Sequence, residues 1–312
     1  MYRIFDRVLS SNIPIDVLPV ASASRPDLVF RLDAPRDTAP EGFEHIHDWL
    51  LPDGSVSLRG YRKGPVYALQ FPGLAWFTLR PGQGEITGHP APGADENTLV
   101  HMLLDQVIPR LLGHGDHLVC HAAAVRLPNG RVAAFLGDTG AGKSTLTAAF
   151  QGRGAQVLSD DCLMLKVVGG RLLAMASYPS LRLLPDSLQQ LLPADARTAS
   201  MAKNHPKRRV VQADDAGHSE WLPVASLMAL EAAEPDAPSV SVASLTGTRA
   251  FLSVVSSLFT LDVPSRQRAG HVFRHAGALL DSGIPLVSLR YPRRFEMIDE
   301  VCAAVEQHIV AQ

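Results

Sequence analysis

The stretch Gly137–Thr145 reads GDTGAGKST, and QVLSDD (Gln156–Asp161) follows closely. The first piece fits G-x-x-x-x-G-K-[ST] at every fixed position: Gly137, Gly142, Lys143 and Ser144. Asp138, Thr139, Gly140 and Ala141 lie between them, and Thr145 follows. RVAAFL just before it reads as a strand and STLTAAF just after it as a helix, which is the context such a loop needs. Each residue type has a physical task. Glycines let the backbone turn its N–H groups inward around phosphate oxygens. A helix N-terminus adds positive potential there. Lys143 adds a point charge toward the β- and γ-phosphates of a nucleotide, and the Ser144 hydroxyl can complete a Mg²⁺ shell.

Asp160 and Asp161 lie 17 and 18 residues beyond Lys143 (160 − 143 and 161 − 143). That interval holds one helix, a glycine turn and a short strand. In a parallel α/β sheet the carboxyl end of that strand faces the same rim as the phosphate loop. One carboxylate can then hold Mg²⁺ while the other takes a proton from an incoming hydroxyl. Away from a phosphate loop, such a pair reads more simply as a turn or N-cap. SLMALE, ending at Glu231, reads as an ordinary strand with a surface Glu.

Other groups sit within possible range of the loop. His121 ends the apolar strand HLVCH and comes near the phosphates if that strand pairs with the loop's own; the alternative is a satisfied core histidine. Arg182, in PSLRLLP, follows a turn at a strand end. Lys203, Lys207, Arg208 and Arg209 in KNHPKRR can steer an acidic substrate or clamp phosphates, or can be a solvated loop. RQR (Arg266–Arg268) and RYPRR (Arg290–Arg294) read as helix and surface charges.

The totals bound the class. The 312 residues are 46% hydrophobic, enough for a sizeable core in one large domain or two ordinary ones. A net charge of −2 and the lack of aromatic interleaving in the basic runs give no reason to expect nucleic acid. No apolar run reads as a membrane span or a signal peptide. Cys120, Cys162 and Cys302 are few, odd in number and far apart, which fits reduced thiols in a cytoplasmic protein.

Along the chain, residues 1–95 read as a β-rich N-terminal domain, with short strands such as DLVFRLD, VYALQF and AWFTLRPG between Pro, Gly and Asp. Residues 96–116 read as a connecting helix, with Leu99, Met102, Leu103, Val107, Leu111 and Leu112 on one face. Residues 117–312 read as a phosphate-loop α/β domain. Within it, HLVCHAAAVRL and RVAAFLGD form a hairpin, and QVLSDDCLMLKVV is one strand running past the acids. The polar segment 194–217 is a long loop. IPLVSLRYP is the final strand, before a C-terminal helix.

Taken together, HAAAV (His121–Val125), GDTGAGKST and RGAQVLSDD (Arg153–Asp161) resemble the catalytic domain of HPr kinase/phosphorylase and its relatives. The resemblance is greater to HPr-kinase-related proteins of bacterial gene clusters, some of which accompany lasso-peptide biosynthesis and phosphorylate a serine of the precursor peptide. YRIFDRVLSSNIPI, SYPSLRLLPDSL and IPLVSLRYPRRFEMIDEV extend it weakly toward both ends. The resemblance implies a phosphoenolpyruvate-carboxykinase-like P-loop domain with a mixed sheet, preceded by a smaller β-rich domain. It implies Asp160 as catalytic base, Asp161 as the neighbouring acid near the metal, and His121 as a strand histidine close to the phosphate. It also implies an ATP- and Mg²⁺-dependent kinase acting on a serine of a peptide or small protein. This chain departs from the pattern at Ala122, where the family has Gly, and at Thr145, where HPr kinase has Glu. A small-molecule hydroxyl kinase and a non-catalytic nucleotide-binding module stay open as alternatives, and so does self-association into a homo-oligomer.

Overall fold

A computed structural model describes residues 1–115, 117–178, 180–200, 206–210, 220–231 and 239–311. The chain divides into two compact units. The first comprises residues 1–117 with 259–271. Its strands are β1 (Tyr2–Ile4), β2 (Arg7–Ser11), β3 (Leu28–Leu32), β4 (Glu44–Leu50), β5 (Val56–Lys63), β6 (Val66–Phe71), β7 (Ala75–Arg80) and β8 (Glu85–Pro90). They form one mixed sheet in the order β1-β2-β3-β8-β7-β6-β5-β4, with β2–β3 and β3–β8 parallel. Alternate apolar residues bury Leu69, Phe77, Leu79 and Ile86 in the core with Phe30. Asp95 starts α1 (Glu96–Met102), its side chain accepting the Thr98 N–H at 2.7 Å. The helix widens to one π turn at Leu103–Val107 and continues as α2 (Ile108–His114). Pro109 has no N–H to return to the preceding turn, which accounts for the widening there. Asp262 belongs to this unit and is buried, accepting from Tyr67 Oη at 2.8 Å and Arg62 Nη1 at 3.1 Å.

The second unit carries the phosphate-loop motif. In chain order it holds β9 (Leu118–Arg126), β10 (Val132–Leu136), α3 (Lys143–Gly152), β11 (Gln156–Ser159), β12 (Cys162–Val168), β13 (Arg171–Ala176), β14 (Arg182–Leu183) and α4 (Pro185–Leu191). Then come β15 (Thr198–Ser200), β16 (Arg208–Val210), β17 (Leu222–Leu230), β18 (Ser241–Ser244), α5 (Gly247–Ser257), α6 (Arg266–Asp281), β19 (Leu286–Arg290) and α7 (Ile298–Val310). The first turns of α6 lie in the other unit. β10, β17 and β19 are parallel neighbours, whereas β9 runs antiparallel beside β10. The pairings β10–β9–β12–β13–β17–β10 return on themselves, so the main sheet is mixed and closes a circuit.

The hairpin is present as expected, with Val132 opposite Arg126 and Leu136 opposite Ala122. Two readings need correction. QVLSDDCLMLKVV is not one uninterrupted strand but β11 and β12, both antiparallel to β9, with Asp160 and Asp161 between them. The register shifts between Val157 and Ser159, a local bulge that bends the strand where the acids emerge. The shared rim survives by another route. β11 and β10 each oppose β9, so they run the same way and end on the same edge. Segment 194–217 is not wholly a loop either. β15 and β16 join β14 in a three-stranded sheet. Its one buried apolar anchor on β16 is Val210, which packs with Val157, Leu181, Leu183 and Ala148; a single anchor leaves no periodicity to read.

β10 shows why this sheet is buried on both faces. Val132, Ala134 and Leu136 enter one core cluster, and Ala133 and Phe135 the other. Phe135 stacks on Phe150 of α3, with ring centroids 5.8 Å apart and planes 18° from parallel. That contact seats the helix carrying the phosphate-loop lysine on the strand that leads into it. Phe150→Ala should therefore cost about 3–5 kcal/mol of unfolding free energy. A urea titration of the two proteins checks the value.

Candidate functional site

β10 ends at Leu136 and α3 begins at Lys143. Between them Gly140 (φ +83°) and Gly142 (φ +91°) hold left-handed backbone that a side chain would strain. At Gly142 a Cβ would also stand 3.0 Å from Arg293 Nη1 and 3.1 Å from Tyr291 Oη. Asp138 O accepts the Ala141 N–H at 3.0 Å, which closes the turn. Lys143 is buried and donates its ammonium to Gly137 O at 2.6 Å and Asp138 O at 3.2 Å. Burial lowers its pKa; Asp161 and Asp160 oppose that shift. Ser144 Oγ accepts from Lys207 Nζ at 3.4 Å, and Thr145 Oγ1 lies 3.2 Å from Ser187 Oγ at the start of α4.

The acids face this loop from β11. Asp160 is 1% exposed. Its Oδ2 accepts the main-chain N–H of Arg182 at 2.9 Å. Its Oδ1 is buried with no hydrogen-bond partner among the described residues. Burial pushes the Asp160 carboxyl up to about 6. Repulsion from Asp161 adds to that, and Arg182, Lys207 and the Ser144 hydroxyl oppose it. Asp161 is tied differently. The buried Arg182 guanidinium bonds its Oδ2 and also donates to Tyr178 Oη at 2.6 Å. His121 Nδ1 stands 3.2 Å from the Asp161 main-chain O and 3.8 Å from its Oδ1. A carbonyl only accepts, so Nδ1 carries the proton and Nε2 the lone pair. Burial, helped by Lys143, lowers the His121 pKa to about 4, so the imidazole is neutral at neutral pH.

The structure gathers Lys143, Ser144, His121, Asp160, Asp161, Arg182 and Lys207 into one cluster and sorts the basic run. Arg209 lies opposite Arg182 in the β14–β16 ladder, so the two share a face of that small sheet. Arg208 points the other way and donates to Thr198 Oγ1 at 2.9 Å. Lys203 lies outside the described residues.

Two sequence readings were too plain. Glu231 is not a lone surface acid; its carboxylate bonds Arg249 and Arg290. Arg293 is not merely a surface charge; it donates to Gly140 O at 3.0 Å and to Glu231 O at 3.3 Å. Tyr178 and Ser187 also touch site residues, and neither carries a sequence signal for that contact.

Hard oxygen donors converge at the loop: the Ser144 hydroxyl and the carboxylates of Asp160 and Asp161. Among the described residues there is no group of three or more His, Cys, Asp or Glu able to hold a metal. A hydroxyl and a carboxylate fit Mg²⁺, which commonly takes its remaining ligands from water and substrate phosphates.

No protein-family model matches the chain, and no curated protein matches it. Among solved structures, the HPr(Ser) kinase/phosphatase from Coxiella burnetii is similar over 62% of this chain and 97% of its own, at 12% identity and a TM-score of 0.32. A likeness that slight carries no argument about activity. No helix among the described residues is long and apolar enough to cross a membrane.

The electrostatics yield a test. Arg182 holds the Asp160 pKa down, so Arg182→Gln should move the Asp160 titration above about 6. Arg208→Ala, on the opposite face, should leave it in place. Carboxylate infrared difference spectra across pH 4–9 measure both; equal midpoints in the two variants would contradict the assigned geometry.

Proposed function

We propose that this protein is an ATP- and Mg²⁺-dependent kinase that transfers the γ-phosphoryl group to a hydroxyl, with serine of a peptide or small protein as the acceptor. The observation that carries this reading is the Oδ1 of buried Asp160, which has no hydrogen-bond partner among the described residues, beside the phosphate-loop serine and with the raised pKa that a base needs. The fold reading goes with it: a phosphoenolpyruvate-carboxykinase-like P-loop domain with a mixed sheet. Cys120, Cys162 and Cys302 are buried and in no disulfide, which fits a reducing cytoplasmic setting.

The residues divide the work. The loop amides and Lys143 grip the β- and γ-phosphates, and the N-terminus of α3 adds its dipole. Ser144 and Asp161 would hold Mg²⁺, which when bound supplies neutralising charge to the phosphates. Asp160 Oδ1 accepts the proton of the acceptor hydroxyl as that oxygen bonds to the γ-phosphorus and the bond from phosphorus to the β–γ bridging oxygen breaks, with ADP leaving. Above pH 6 Asp160 is ionised and ready for that proton. Asp161 is paired with the Arg182 guanidinium, which suits it to holding charge. Neutral His121 can accept a hydrogen bond through Nε2 without adding charge, and Lys207 offsets charge near the terminal phosphate.

Asp160→Asn should lower transfer at least about 10³-fold while ATP affinity changes by less than about threefold. Labelled ATP, Mg²⁺, a serine-peptide library and a panel of hydroxyl metabolites identify the acceptor class. ATP binding without transfer to any of them means a nucleotide-binding module, and full-rate transfer by Asp160→Asn means another base.

A stability result accompanies it. The folded-state pKa of about 6 lies above the ordinary 3.8, so the folded protein favours the protonated carboxyl. The stability this group contributes is present below about pH 4 and is lost as pH rises through 6. Asparagine imitates the protonated form, so Asp160→Asn should melt at an equal or higher temperature than the parent at pH 7.5, seen by calorimetry.

A further inference from the structure

RYPRR (Arg290–Arg294) leaves the end of β19, which neighbours β17, which neighbours the phosphate-loop strand β10. All three strands are parallel, so this segment reaches the edge where the loop stands. Tyr291 is buried there, and Arg293 is exposed with its guanidinium centre 5.8 Å from the Tyr291 ring. The two ends of the Arg293 fork take different acceptors: Nη1 bonds Gly140 O and Nη2 bonds Glu231 O. Gly140 is the middle of the loop, and Glu231 follows the last residue of β17. Glu231 is itself fixed, because Arg249 and Arg290 hold its carboxylate. The same guanidinium limits the space at Gly142. The loop is thus gripped from outside at its most pliable peptide and tied to the neighbouring strand. A planar fork fixes its two donors at a set span and direction, which a compact ammonium on a flexible stem does not reproduce.

We propose that Arg293 is a positioning residue for the phosphate cradle. By holding the Gly140 carbonyl outward it keeps the loop in the arrangement whose amides face a triphosphate. This rests on reading the loop as a triphosphate site, and it extends that reading to a residue outside the loop and outside the acid cluster. A loop that visits other arrangements binds more weakly by the fraction of time spent in the competent one. The bound state is the same once formed, so the effect belongs to affinity and not to turnover.

The experiment compares the full chain with Arg293→Ala and Arg293→Lys. Calorimetry measures binding of MgATP and, separately, of inorganic tripolyphosphate, which has no nucleoside. Both ligands should bind about tenfold more weakly to Arg293→Ala, and Arg293→Lys should recover little of the loss. Methylguanidinium at tens of millimolar should restore affinity to Arg293→Ala, because the side chain is exposed, and a generally misfolded protein would not respond. Turnover at saturating ATP, where transfer is observed, should stay within about twofold. Unchanged affinity for tripolyphosphate overturns the proposal, as does full recovery by lysine or a turnover loss with unchanged affinity. If the parent binds ATP but transfers it to nothing, the kinase reading fails and this inference is judged on affinity alone.

Discussion

Arg182 is the residue on which the site turns. Two carboxylates side by side in a mostly buried position repel each other, and taking both out of water is costly. Arg182 meets that demand twice from one position. Its main-chain N–H serves Asp160 and its guanidinium serves Asp161. The two acids therefore differ in kind although they are neighbours in the chain. Asp161 is bonded by a charged guanidinium, whereas Asp160 takes a neutral main-chain N–H on Oδ2, and its Oδ1 has no hydrogen-bond partner among the described residues. That inequality separates a proton acceptor from a charge holder.

The sheet makes this meeting possible through β9. On one side of it lies β10, which delivers the phosphate loop; on the other lies the β11–β12 ladder, which delivers the acids. His121 sits on β9 itself, opposite Cys162 and one residue before the hairpin ladder begins. A histidine, a lysine and two aspartates distant in sequence thus gather at one edge because a single strand has two sides. The small sheet of β14, β15 and β16 then brings in the cations Arg182 and Lys207.

Much of this was readable from the residues, for identifiable reasons. The phosphate loop is legible because backbone geometry dictates glycine and chemistry dictates lysine and serine at fixed offsets. The acids are legible because the interval after Lys143 holds one helix and one strand. The antiparallel intermediary β9 is not legible from that interval, since a strand gives the same pattern whichever way its neighbour runs. The grip of Arg293 on Gly140, 153 positions away in the chain, depends on where β17 and β19 end in space, and no local pattern encodes it. β16 escaped notice because three residues with one buried apolar side chain make no periodic signal.

The brevity of β16 has its own consequence. A strand presents successive side chains to opposite faces, so parity alone assigns Arg209 to the side of Arg182 and Arg208 to the side of Thr198. Slipping this strand by one place would exchange the two arginines without altering a single residue. Which arginine stands beside Arg182 is therefore specified by a count of peptide units as much as by composition. A one-residue insertion or deletion in the connection that sets this pairing would exchange the faces of Arg208 and Arg209 while every charged residue was retained.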